Sequence, residues 1–313
     1  MLSRLRLAPL AALATAAALA ACDTATLTRP VALPPVPAAA AIAPPSEATR
    51  AARAYYERVE ARYLEQGQMR TDGGGTDTPF DARDLARNFE NIAFYEEYSE
   101  TSGTYVSGPR EIALHRWVAP VRMDIRFGAT IPLADRESDY AEIAGFAGRL
   151  SRLTGLPIRL SDWRPNHTVL ILNPEERAAA APLLRTLAPG ISEAALRSVT
   201  AMDPETYCTV FTFAADGSST YSSALTVIRG ELPFRMRQLC IHEELAQSLG
   251  LGNDDPRARP SIFNDNEEFA LLTTQDELML KMLYDPRLRP GMTLAEARPI
   301  VEVIAAELAG DRR

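Results

Sequence analysis

CIHEELAQSLGLGND, Cys240 to Asp254, is the stretch on which the reading of this chain turns. Met236, Leu239, Ile241, Leu245 and Leu249 put apolar side chains on most sides of one helix, and a helix apolar nearly all round is buried. Pro233 suits the first turn and Gly250 a left-handed stop, so the sequence predicts a helix between them. Its polar residues Glu243, Glu244 and Gln247 then line a cleft; the alternative is a solvated helix face.

Working outward, the segments before this helix alternate between β and α patterns. His115 to Gly128 reads as a strand bent at Pro120, with Val121, Met123, Ile125 and Phe127 alternating with polar residues. Asp139 to Thr154 reads as an amphipathic helix, and Leu156–Leu160 and His167–Leu172 as strands. Residues 175–200 read as helix in two pieces around Pro189-Gly190. Tyr207–Phe213 and Tyr221–Arg229 form a predicted hairpin that feeds the opening helix. Helices are predicted upstream over Ser46–Gln66 and Asp81–Tyr98, and downstream over Thr274–Leu283 and Leu294–Leu308. The fold class is therefore α+β, in one domain over 49–310.

The N-terminus belongs to a different regime. Arg4 and Arg6 precede an Ala/Leu-rich run that is too short to span a bilayer, and the run ends in Leu19-Ala20-Ala21-Cys22. That ending is similar to a bacterial lipobox, which implies a signal peptide over 1–22 and acylation of Cys22, anchoring the chain to a membrane. Residues 23–48 are Ala/Pro-rich and read as an extended tether. Asp23 after Cys22 resembles an inner-membrane retention signal, so the expected location is the cell envelope, facing the periplasm.

Export leaves Cys208 and Cys240 as an even pair in an oxidising compartment, a disulfide candidate; two buried thiols are the alternative. The formal charge of -8 argues against a nucleic-acid partner. Gly73-Gly74-Gly75 lacks a following Gly-Lys-Ser/Thr and carries no phosphate-loop signal.

His242-Glu243 opens as a two-histidine zinc helix opens, but Ala246 stands where the second imidazole belongs. Shifted by one residue, Glu243 to Asn253 has the spacing of His-Glu-x-x-His-x-x-Gly-x-x-His and resembles the long zinc motif of metzincin proteases. In that frame Glu244 takes the general-base position, and Glu243, Gln247 and Asn253 take the three ligand positions. Ser261-Ile262-Phe263-Asn264 resembles the methionine turn with Phe263 in place of methionine. The resemblance implies a zincin-like mixed sheet with an active-site-type helix and C-terminal helices. The chain also resembles a family of bacterial lipoproteins of unknown function. The resemblance runs from Met69 to Met292 through MRTD, DLARNFENIAFYEEY, HRWVAPVR, EELAQSLGL, SIFND and LYDPRLRPGM.

Zinc prefers imidazole and thiolate, whereas an all-oxygen set suits calcium or magnesium. Two functions follow as expectations. The first is a non-catalytic binding or scaffolding protein, without a cofactor, that holds a peptide, a glycan or a partner protein with Glu243 and Glu244 as acidic anchors. The second is a hydrolase in which Glu244 is the base and a divalent cation sits on Glu243, Gln247, Asn253 and Asp254 or Asp265. His115, His167 and His242 read as structural.

Overall fold

A computed structural model describes residues 43–101, 104–215 and 217–310. The signal-peptide segment, Cys22, Asp23 and the tether up to residue 42 lie outside the described residues, as does Asp216 in the predicted hairpin turn.

Helix α1 (Glu47–Glu65) starts at Ser46, whose hydroxyl accepts from Thr49 N at 3.0 Å. Helix α2 (Ala82–Ala93) starts with a capping box between Asp81 and Asp84. Its inner face is Leu85, Phe89 and Ile92, all fully buried, and each contributes roughly 1.5–3 kcal/mol by burial. The predicted continuation to Tyr98 is wrong. The apolar repeat that marks the helix ends at Phe94, and the chain turns into strand β1 (Tyr95–Thr101), paired antiparallel with β2 (Thr104–Glu111).

Strand β3 (Val121–Phe127) starts after Pro120 and not at His115, and Arg116 makes only an isolated bridge to Thr220. Helix α3 (Leu133–Thr154) starts earlier than predicted, directly after Pro132, and ends on left-handed Gly155. Strands β4 (Ile158–Leu160) and β5 (His167–Leu172) follow. Residues 174–200 form three helices, α4 (Pro174–Ala178), α5 (Ala181–Leu187) and α6 (Glu193–Thr200). The break at Pro189-Gly190 is as expected; a second one precedes Pro182, which sits in the first turn of α5. Strands β6 (Cys208–Ala214) and β7 (Tyr221–Arg229) lead into α7 (Phe234–Gln247). A single 3-10 turn (Ile262–Asn264), α8 (Thr274–Leu283) and α9 (Leu294–Gly310) complete the order.

Five strands form a mixed sheet in the order β4-β3-β5-β7-β6, parallel except for the antiparallel edge strand β6. The α+β class is thus observed. One face of the sheet buries Val121, Met123, Val169, Ile171 and Ile228 against α3 and α7. The other buries Leu170, Leu172, Leu225 and Val227 against Leu184, Leu196 and Val199 of α5 and α6. Helix α2 packs on α8 and α9. Two buried acids on this framework are paired with arginines: Glu231 accepts from Arg177 (2.8 Å) and Arg229 (2.9 Å), and Asp139 accepts from Arg237 (2.8 Å). Among the described residues no helix is long and apolar enough to cross a membrane.

Candidate functional site

The site lies where the second half of α7 meets the first residues of β6 and the loop after Gly250. A disulfide joins Cys208, the first residue of β6, to Cys240 in the middle of α7, with a Cα–Cα distance of 5.8 Å. The expected bridge is therefore formed, and it fixes the sheet edge beside the turn that carries Glu243 and Glu244. The other end of α7 is held by side chains. Trp117 Nε1 donates to Ser248 O at 2.8 Å and the Tyr284 hydroxyl donates to Leu249 O at 3.1 Å, filling helix-terminal carbonyls. Gly250 has a φ of 124°, and a Cβ there would collide with the His115 carbonyl oxygen, so only glycine fits this stop.

His242 faces away from the cleft. It is 3% exposed, accepts at Nδ1 from Leu272 N (3.0 Å) and donates from Nε2 to Glu142 (3.0 Å). Its ring stacks on Phe146 with centroids 3.9 Å apart, and burial pushes its pKa down despite the Glu142 carboxylate. His115 is bonded at Nδ1 to Ala113 O (2.7 Å), and His167 at Nε2 to Thr226 Oγ1 (2.9 Å). All three histidines have structural partners.

The frame residues divide into two groups. Carboxylate oxygens of Glu243 and Glu244 and the Sγ of Cys208 lie within 4.8 Å of one another. Because that sulfur is spent in the disulfide, the pair that remains is two carboxylates. Gln247 Nε2 donates to Asp254 Oδ1 at 3.2 Å. Asn253 turns to the end of α2 instead: its backbone N–H donates to Ile92 O (3.2 Å) and its side-chain amide to Asn91 O (2.9 Å). The residue beyond Gly250 that meets Gln247 is thus Asp254, one place later than the metzincin spacing predicts.

Negative charge accumulates around Glu243. Burial pushes its carboxyl well above the usual carboxylate range, and the charges of Asp254, Glu244, Asp265 and Glu267 push the same way. Burial also raises Asp265 and Glu267, the latter helped by the Asp265 charge and opposed by a hydrogen bond from Tyr63. The Tyr63 and Tyr207 hydroxyls are 3.1 Å apart, and burial raises both phenols. Groups coupled in this way share protons, and such a cluster is relieved by proton uptake or by a cationic ligand.

The loop that presents Asp265 and Glu267 is strained. Both residues have left-handed backbones, φ 54° and 52°, a cost of order 1 kcal/mol or more each for side chains of this kind. Met69 N to Glu267 O (2.7 Å) and Arg70 N to Glu268 O (2.8 Å) hold the loop in place. Beneath it, Ile262–Asn264, capped by Ser261, forms the buried 3-10 turn that packs on α7, with Phe263 fully buried. Fully buried Asp276 clamps that turn by accepting from Ser261 Oγ (2.6 Å) and Ile262 N (3.0 Å).

The three ligand positions do not fit zinc. They offer one carboxylate and two neutral amides, and both amides donate to other protein groups. Spacing alone pointed to Glu243, Glu244 and Gln247. Tyr63, Tyr207 and Glu267 were missed, because α1, the residue before β6 and a distant loop bring them in and no local pattern marks them.

No curated protein and no solved structure matches the chain. Residues 82–303, from the first turn of α2 into α9, match the family described as Protein of unknown function (DUF2927). That match covers more than half of the chain, and the chain belongs to this family.

Proposed function

We propose that this chain is a cell-envelope lipoprotein whose zincin-like domain binds an extended peptide segment of a partner and does not cut it. Acylated Cys22 anchors it, residues 23–45, ahead of the α1 cap, are the tether, and Asp23 favours retention at the inner membrane. The edge hairpin β6–β7 feeding α7 supports the zincin-like assignment. The reading rests on one observation: the amides of Gln247 and Asn253 at two ligand positions already donate to Asp254 and Asn91. Neutral amides are weak metal ligands, so in this reading Glu244 has no metal-polarised water to activate.

Binding follows from the same elements. Strand β6 pairs only with β7 among the described strands, and an open sheet edge can take an extended peptide as a further strand. Glu243, Asp254, Asp265 and Glu267 lie near the start of that edge, which favours a peptide with a lysine or arginine side chain. The test is fluorescence anisotropy with an extended peptide library, followed by mass spectrometry of the recovered peptides. Intact peptides, bound more weakly by Glu243→Gln, are expected. Cleavage that disappears in Glu244→Gln would overturn the reading.

A second reading is a hydrolase with Glu244 as base and a hard divalent cation on an oxygen-rich set. The close approach of the Glu243 and Glu244 carboxylates favours it. Stoichiometric calcium or magnesium in the purified protein, lost in Glu243→Ala, would select it.

A further inference from the structure

Away from this site, the loops that precede β3 and follow β4 are braced into one unit. Asn166 Nδ2 donates to Pro120 O (3.0 Å), Arg122 N donates to Asn166 Oδ1 (2.6 Å), and Arg122 Nε donates to Arg164 O (2.6 Å). Arg164 holds a left-handed backbone, φ 46°, at the apex. The unit presents Val118 and Trp163, 60% and 74% exposed, together with exposed Ala119 and Pro120. No described large apolar side chain is more exposed than Trp163.

Beside this tip the parallel pairing of β3 and β4 sets Arg122 directly opposite Arg159. Both lie on the sheet face opposite to buried Val121 and Met123. Neighbouring strands are about 4.8 Å apart, so the two like charges repel. Among the described residues neither arginine has a carboxylate partner, and the Arg164 side chain has none either. Asp124 on the same face is already paired with Arg126 at 2.6 Å. Asp162 is the only acid in the loop, so Arg122, Arg159 and Arg164 leave an excess of positive charge in a chain of net charge -8.

We propose that this patch docks on an anionic phospholipid surface. Trp163 and Val118 enter the headgroup layer, where indole rings settle, and the three guanidinium groups pair with lipid phosphates. A solvated surface would account for exposed arginines. It does not account for an indole held out from a loop braced by three side-chain hydrogen bonds and a strained residue. Two cavities among the described residues are lined by residues outside this tip, which favours a surface over a small molecule here. A nucleic-acid strand would meet the arginines but would gain nothing from Val118 and Ala119. The proposal is independent of the peptide site and of Cys22 acylation, because its readout is Trp163 itself.

The chain contains two tryptophans, and Trp117 is 1% exposed, so collisional quenchers report on Trp163. The full chain is mixed with vesicles containing brominated phosphatidylglycerol, with vesicles containing brominated phosphatidylcholine at the same bromine content, or with single-stranded DNA. The expected result is a blue shift and bromine quenching with phosphatidylglycerol only, both abolished in Trp163→Ala. The Arg159 side chain makes no hydrogen bond within the described residues, so Arg159→Gln keeps the fold. It is expected to weaken vesicle quenching by about fivefold, the effect of one basic residue near an anionic leaflet. Equal quenching by the two lipids would overturn the proposal, as would a response to DNA alone.

Discussion

The side-chain amide of Gln247 lies 3.2 Å from Oδ1 of Asp254. This contact, one residue past the spacing of a three-ligand zinc motif, determines how a metal could be built into the fold. Asn253 is committed to the C-terminal end of α2, whereas Asp254 closes over α7. Glu243→His and Gln247→His combined with Asp254→His are therefore expected to bind zinc. The same pair with Asn253→His lacks the third imidazole. A third ligand should tighten zinc by at least about tenfold, or 1.4 kcal/mol. Competition against a chromophoric chelator checks this, and tighter binding by the Asn253→His set would show the frame to be the one the sequence suggests.

The bridge between Cys208 and Cys240 spans a sequence separation of 32. Closing a loop of that length removes chain entropy from the unfolded state and stabilises the fold by about 3–4 kcal/mol. Cys208→Ser with Cys240→Ser should lower the denaturation midpoint and steepen the denaturant slope, because the unbridged unfolded chain exposes more surface. An unchanged midpoint would mean that packing of α7 on the sheet is sufficient to hold the edge strand.

His167 makes the fold acid-sensitive. It is fully buried, its Nδ1 has no partner among the described residues, and burial pushes its pKa down to about 3. A depressed folded-state pKa means that stability is complete above the unfolded value of 6.5 and is lost as pH falls from there towards 3. The full loss is roughly 4–5 kcal/mol at 1.36 kcal/mol per unit. Denaturant melts across this range should show the slope, and His167→Gln should flatten it. An imidazole that titrates near its ordinary value by NMR would sink the prediction.

Glu231 binds two guanidinium groups with no exposure to solvent. Glu231→Gln keeps the shape and removes the charge that Arg177 and Arg229 share. Leaving two buried cations uncompensated should cost about 3–5 kcal/mol, read as a lower melting midpoint at pH 7. A loss below 1 kcal/mol would show that the backbone carbonyls on Arg177 and Arg229 suffice.

The opening stretch carried much of this in its pattern. Apolar residues nearly all round predicted a buried helix, and α7 is buried; the hairpin before it and the stop at Gly250 were equally readable. The cysteine pair was legible because an even count in a chain expected to be exported limits the pairing. What escaped was non-local. Nothing between Tyr95 and Tyr98 marks a change of period, so the helix predicted to Tyr98 runs over the first residues of β1. The turn of Asn253 towards Asn91 depends on where α2 docks, which spacing along one segment does not encode. The acidic cluster joins α7, the loop at Asp254 and the strained loop at Asp265–Glu267, and only the tertiary fold reveals the mutual repulsion of these carboxylates.

That repulsion sets a sign opposite to the one at Glu231. Glu243 is half-buried among like charges, and its carboxyl is held well above its ordinary value. For an acid raised in the folded state, the cost is absent below the unfolded pKa of 4.5 and is fully present above the folded one. Glu243→Gln should therefore stabilise the protein at pH 7.5, by roughly 1–2 kcal/mol as is usual when a functional site is neutralised, and the gain should vanish near pH 4. The same substitution should weaken binding of a lysine- or arginine-bearing peptide, because it removes charge from the cluster that attracts it. Paired melts at the two pH values and peptide anisotropy measure both effects on one variant. Destabilisation at pH 7.5 would mean that the Glu243 carboxylate already has its counter-charge, and the cluster would then be a structural feature and not a binding one.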